Sequence, residues 1–129
     1  KVPLIFSGKN IPKGKINTNF VYLLDIFPTL CNLTNTKVPP SVQGQSVLGK
    51  NIQPRTSLFY AYRDFQKAVR MGDWKMIVYN VKGQETIQLF NLKKDPLEMN
   101  NLANDQQFKN KLAAMQLEMA KQKELNNDQ

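Results

Sequence analysis

Apolar residues run in short clusters through the first ninety positions and then take up a helical spacing. Val2 to Ser7 is an apolar run closed by Gly8, the pattern of a buried strand. Lys9 to Gly14 reads as a turn. Phe20 to Leu24 is apolar again, and Asp25-Ile26-Phe27-Pro28-Thr29-Leu30 reads as a helix start. Asp25 is the expected N-cap there, and Pro28 falls in the first turn, where its missing N–H costs no helical bond.

From Thr34 to Pro54, the pair Pro39-Pro40 with Gly44 and Gly49 describes a long connection, and a subdomain boundary is expected there. Leu58 to Tyr62, Lys67 to Met71, Trp74 to Val81 and Thr86 to Leu92 then read as strands, rich in aromatic and β-branched residues. Gly72-Asp73 and Lys82-Gly83-Gln84 supply turns between them, so the strands are expected to form an antiparallel meander with one face covered. The cover comes from a C-terminal helix, with Asn104 and Gln107 as an expected capping box. Phe108, Leu112, Met115 and Met119 recur there at spacings of four, three and four, on one face. Asn126 to Gln129 are expected to fray. The architecture predicted is α+β.

Composition adds less. With 41% hydrophobic and 22% charged residues the chain has globular values. No apolar run approaches the roughly 20 residues of a membrane span. The chain opens at Lys1, without Met and inside an apolar run, which reads as a piece of something longer. The net charge of +8 is concentrated before Tyr60, where seven Lys or Arg face the single acid Asp25. Those cations are scattered among Pro, Gly and Asn rather than set in a stripe, which argues against nucleic acid and for a solvated surface or attraction of anionic substrates.

The chemistry available is thin. There is no His, so Ser-His-Asp and Cys-His triads are impossible within the chain, and with one Cys no zinc site of the usual ligands can form. Cys31, between Leu30 and Leu33, reads as a small buried side chain. Asp95 and Glu98, astride Pro96, read as turn or cap residues before ligands. Gly44-Gln45-Ser46-Val47-Leu48-Gly49-Lys50-Asn51 approaches a phosphate-binding loop but ends in Asn51 where Ser or Thr is needed. Pro54 follows at once, so an ordinary linker turn is expected.

Several local patterns, in order, resemble the C-terminal part of the sulfatase family: Val2-Pro3-Leu4-Ile5, Gly8 with Ile11-Pro12-Lys13-Gly14, Asp25 to Leu30, Gly44-Gln45-Ser46, Ala68 to Ile77, and Leu89-Phe90-Asn91-Leu92 with Asp95-Pro96, Glu98 and Asn101-Leu102. The resemblance implies residues 1–40 as the last strand and helix of a large α/β domain. Residues 41–57 would be a linker, and 58–129 a C-terminal subdomain with an antiparallel sheet packed on a C-terminal helix. It implies a parent that hydrolyses sulfate esters of glycans or aryl alcohols with a calcium ion and a formylglycine made from Cys or Ser in a Cys/Ser-x-Pro-x-Arg motif. Cys31 is followed by Asn32-Leu33-Thr34, so no nucleophile is carried onto it. Lys1, where the family often has Arg, is given no catalytic role, and Asn91 replaces a common Asp.

On this resemblance the chain holds no catalytic or metal-binding residue and no cofactor of its own. It is expected to support an N-terminal catalytic domain and to meet sulfated substrate through it. Tyr60, Tyr62, Arg63 and Asp64 are the candidates for the rim of the substrate pocket. Arg63 could pair with an anionic group and Tyr62 could offer its ring to a sugar or aryl face. A periplasmic or secreted parent is implied, and self-association is expected if apolar surface is left uncovered. A phosphoester or phosphonate hydrolase of the same superfamily and an independent basic polyanion-binding module are the alternatives.

Overall fold

The computed structural model describes residues 2–9, 11–49 and 52–126. The chain divides into two compact units, Lys1–Gly49 and Lys50–Gln129.

The first unit is built on one short helix, α1 (Ile26–Leu33), entered through a 3₁₀ turn at Leu23–Asp25. Pro28 sits in its first turn, and Cys31 is buried with a free thiol. Residues 2–7 form no strand, and Ile5 is 85% exposed. A strand needs a neighbour to bond its backbone groups, and all the strands among the described residues lie in the second unit. Asp25 does not cap α1. Its Oδ2 accepts the backbone N–H of Tyr22 at 2.8 Å, reaching back over the 3₁₀ turn in the manner of the acid of a capping box. Its Oδ1 accepts the N–H of Gln45 at 2.9 Å.

One helical turn on, Thr29 repeats the arrangement. Its hydroxyl donates to the carbonyl of Asp25 at 2.6 Å and accepts from the N–H of Val47 at 3.0 Å. Four residues of helix advance about 6 Å and two extended residues about 6.7 Å, so side chains at i and i+4 match alternate N–H groups of an extended segment. Gly44-Gln45-Ser46-Val47 is thereby bound along α1 rather than forming a free connection or a phosphate loop. The last two residues of that loop-like pattern, Lys50 and Asn51, lie outside the described residues. Gly44 is required at the crossing, since a Cβ there would stand 2.3 Å from the carbonyl oxygen of Leu24.

The second unit is a four-stranded antiparallel meander in the order β1-β2-β3-β4, with β1 at Ser57–Tyr62, β2 at Gln66–Met71, β3 at Trp74–Val81 and β4 at Gln84–Asn91. Its turns follow the sequence signals. Met71 pairs with Trp74 across Gly72-Asp73, with Gly72 at φ +58. Val81 pairs with Gln84 across Lys82-Gly83, both at positive φ as a type I′ turn demands, so β4 begins two residues before its expected start at Thr86.

Alternation along the strands sorts the two faces. Phe59, Val69, Met76 and Leu89 form one cross-strand row that packs against Met115 and Met119 of α2 (Lys109–Leu125), with Phe108 and Leu112 beside them. This is the helical face expected from the spacing. The cap differs: Asp105, not an Asn104–Gln107 box, precedes the 3₁₀ turn Gln106–Phe108 that leads into α2, and its Oδ1 accepts the N–H of Gln107 at 2.9 Å. At the other end, Asn126 donates from its backbone and side chain to the carbonyl of Gln122; the rest of the tail expected to fray lies outside the described residues.

The outer edge of β4 is closed by Asn101, whose Oδ1 accepts the N–H of Leu89 at 2.9 Å while Leu102 donates to the carbonyl of Leu89 at 2.9 Å. A capped edge offers no template for another strand. A polar clasp ties β1 to α2: Ser57 donates to Glu118 at 2.5 Å, and Gln122 donates to Ser57 at 3.1 Å and to Glu118 at 2.9 Å.

Candidate substrate-rim surface

Strand alternation places Tyr60 and Tyr62 on the sheet face turned away from α2, because Phe59, the residue before Tyr60, joins the core on the helix side. Tyr60 is 47% exposed and Tyr62 63%. The chain then turns through Arg63-Asp64-Phe65, with the N–H of Phe65 donating to the carbonyl of Tyr62 at 3.3 Å and the N–H of Asn80 donating to the carbonyl of Phe65 at 2.8 Å. Arg63 adopts φ +49, a left-handed conformation that its Cβ disfavours. Its guanidinium carbon lies 5.9 Å from the centroid of the Tyr62 ring, within cation–π range.

Of the four candidates, the structure thus brings Arg63 and Tyr62 together, sets Tyr60 on the same face two residues back, and leaves Asp64 exposed on the turn. The exposed ring of Phe65 was not among the candidates. It lacks a sequence signal, since an aromatic beside strands ordinarily reads as core.

The neighbouring polar residues serve the framework. Arg70 donates from Nε to the carbonyl of Gly72 at 3.2 Å, and Lys75 pairs with Glu98 at 2.6 Å. Trp74 packs against Phe108 with ring centroids 5.4 Å apart and holds the Lys111 ammonium 5.7 Å from its ring. Asp95 accepts the N–H of Asn100 at 2.8 Å. That bond foremost, with further N–H groups of Met99 and Glu98, holds its carboxyl below the usual aspartate value against a smaller opposing desolvation. Asn91, at the end of β4, accepts the N–H groups of Lys93 and Lys94 at 3.1 and 3.2 Å, an Asx turn. Among the described residues, no three of His, Cys, Asp and Glu come together as metal ligands would. No helix described is long and apolar enough to cross a membrane.

The model of the family described as N-sulphoglucosamine sulphohydrolase, C-terminal, matches residues 1–125. The chain belongs to this family. A Clostridium perfringens arylsulfatase is 32% identical to this family member over 108 residues, covering 78% of it and 22% of the relative. Human arylsulfatase K is 30% identical over 118 residues, covering 79% and 22%. Among solved structures, a 2-O glycosaminoglycan sulfatase superposes with a TM-score of 0.68 at 26% identity, over 81% of this chain and 25% of that one. A protein solved with its substrate D-glucosamine-2-N,6-O-disulfate superposes at 0.69 and 20% identity, over 81% and 24%, a likeness of fold. The sulphohydrolase C-terminal chain therefore spans about a quarter or less of the length of these sulfatases and matches their C-terminal part. The α+β architecture expected from the sequence, a sheet backed by a C-terminal helix, is the one these structures share.

Proposed function

We propose that this chain is the C-terminal subdomain of a sulfuric ester hydrolase, in which it braces the catalytic domain and contributes the β1–β2 turn to the rim of the substrate pocket. The observation that carries the reading is the family match over residues 1–125. The rim assignment is supported by the exposure of Tyr62, its contact with Arg63, and the strained backbone that holds the guanidinium there. Strain of this kind persists where surrounding structure over-determines it, and such places are often functional.

Among the described residues no three of His, Cys, Asp and Glu come together, and the cysteine of the chain lies in no formylglycine motif. On this reading the calcium ion and the formylglycine belong to the remainder of the protein, in a periplasmic or secreted setting. The described residues give no step of the chemistry; what they supply is position and charge. An anionic sulfate ester approaching the turn meets a permanent cation set over an aromatic face, which favours association before reaction. Leu23, Phe27 and Leu30 are exposed at helical spacing along the start of α1, and the reading gives them the catalytic domain as cover. Severed from it, the chain would self-associate.

The test is sulfate release by the full-length protein that contains this chain, assayed on an aryl sulfate and on a sulfated glucosamine. Arg63→Ala should raise KM about tenfold while kcat changes little, since a rim cation adds binding common to ground and transition states. No sulfate release by the wild-type protein removes the hydrolase reading, and an unchanged KM in the variant removes the rim reading. Similarity of fold to the phosphonate monoester hydrolase of Agrobacterium radiobacter, at a TM-score of 0.56, makes a phosphonate monoester the second substrate to assay.

A further inference from the structure

The connection between α1 and the segment bound along it is fastened at both ends and loose in the middle. At its start α1 ends with Leu33, Asn35 turns the chain at φ +54, and the N–H of Thr36 still donates to the carbonyl of Cys31 at 2.8 Å. At its far end, three residues of the helix side hold alternate residues of the returning segment. Asp25 Oδ1 accepts from Gln45 at 2.9 Å, and Thr29 Oγ1 accepts from Val47 at 3.0 Å. The carboxamide of Asn32 lies against Gly49, where an added Cβ would stand 3.3 Å from Nδ2. Positions 25, 29 and 32 follow one another at helical spacing along a single stripe, and Val47 is buried.

Between these fastenings, residues 37–43 lie outside helix and strand, and Lys37 and Pro39 to Ser41 are exposed. The N–H of Val42 donates to the carbonyl of Pro39 at 3.1 Å, a bond that closes a turn within the stretch. Pro39 and Pro40 have no N–H with which to join a ladder, and a proline biases the residue before it toward the extended backbone that a protease cleft accepts. Exposed loops of this kind are where proteases nick folded chains. The cations of the second unit sit otherwise. Lys82 occupies the two-residue turn between the paired Val81 and Gln84, and Lys93 and Lys94 donate their N–H groups to Asn91.

We infer that the peptide bond between Lys37 and Val38 is a cleavage site, at which a serine protease of trypsin specificity converts the protein into two chains that remain one folded molecule. The reaction is hydrolysis: water adds across the bond, leaving a carboxylate on Lys37 and an ammonium group on Val38. The bonds from Asp25 and Thr29 to Gln45 and Val47 then join the chain that ends at Lys37 to the chain that begins at Val38. This goes beyond the hydrolase reading and does not depend on it.

The experiment is limited trypsin digestion of the native full-length protein, with the cuts identified by mass spectrometry and the products passed through a gel-filtration column without denaturant. A chain beginning at Val38 should appear at least about tenfold faster than cuts after Lys82, Lys93 or Lys94, whose bonds must first open locally. It should elute together with the chain ending at Lys37, and guanidinium chloride should part them. Lys37→Gln should abolish the chain beginning at Val38 and leave the melting temperature unchanged. Thr29→Val, which keeps the size of the side chain and removes its hydroxyl, should let the nicked chains part at a lower guanidinium concentration than in the wild-type protein. Survival of the bond after Lys37 while those of the second unit are cut overturns the inference. Nicked wild-type chains that part in buffer alone overturn it as well, as do nicked Thr29→Val chains that part at the wild-type guanidinium concentration.

Discussion

The carboxylate of Asp25 accepts the backbone N–H of Gln45, twenty residues away in sequence, at 2.9 Å. Asp25 is fully buried, and the same group accepts from Tyr22, so its charge is met by backbone dipoles on two sides. Removing it leaves those part-buried N–H groups without their acceptor, a loss of up to about 1–3 kcal/mol for each group so orphaned. Asp25→Ala is therefore expected to free the 44–47 segment before the rest of the protein. Hydrogen exchange should show the amides of Gln45 and Val47 losing protection by at least about tenfold while the amide of Leu89 in β4 is unaffected. Equal loss at all three would mean global unfolding instead of a local clasp.

Gly44 gives a second measure of the same clasp. An added Cβ would sit 2.3 Å from the carbonyl oxygen of Leu24, which is backbone and cannot rotate aside. Overpacking of this kind costs about 1–3 kcal/mol or more. Gly14 is the comparison: its φ of +65 disfavours Ala by about 1 kcal/mol, but its Cβ would meet nothing within 4 Å. Thermal melting of the full-length protein should rank Gly44→Ala below Gly14→Ala. The reverse order would remove the close approach as the reason for glycine.

These two residues also mark where sequence stops being informative. The meander was legible because its turns are chemical: Gly72 and Lys82-Gly83 sit where positive φ is needed, and aromatic and β-branched residues fill the runs between. Met115 and Met119 announced their face through helical spacing alone. The partner of Asp25 was not legible, since a carboxylate before a helix looks the same whether it bonds its own first turn or a loop twenty residues on. The run from Val2 to Ser7 misled for a related reason. Composition describes what a segment prefers, whereas a strand exists only with a neighbour, and the described residues give it none. Tyr60 and Tyr62 could be chosen from local sequence, whereas the exposure of Phe65 could not, since an aromatic beside strands reads as core.

The clasp between Ser57, Glu118 and Gln122 should make the seating of α2 sensitive to acid. Partial burial pushes the Glu118 carboxyl up, and the hydrogen bonds from Ser57 and Gln122 with the charge of Lys121 outweigh it, leaving the group below its ordinary value. A folded-state value lower than the unfolded one means that the unfolded chain binds the proton more readily. The stabilisation is present above the ordinary glutamate range and fades as pH falls through the lowered folded value. Ser57→Ala removes one of the donors, so it should cost about 1 kcal/mol near neutral pH and less in acid. Urea midpoints compared across the carboxylate range should show the two proteins converging as pH falls. A gap that stays constant with pH would mean that the loss is one of packing.

Arg63 separates stability from binding. Its φ of +49 costs a residue with a Cβ about 1 kcal/mol, and glycine carries no such penalty. The side chain is exposed and its ring contact with Tyr62 is worth about 0.5–1 kcal/mol at such a site. Arg63→Gly should therefore leave the melting temperature of the full-length protein unchanged or slightly raised. Arg63→Ala, which loses the contact and keeps the strain, should lower it. If the turn lies at the substrate rim, both variants lose the same cation and should raise KM for a sulfated substrate equally, whatever their order in stability. KM values that follow melting temperature, with the glycine variant close to wild type, would make the turn a structural feature and return the rim to other residues.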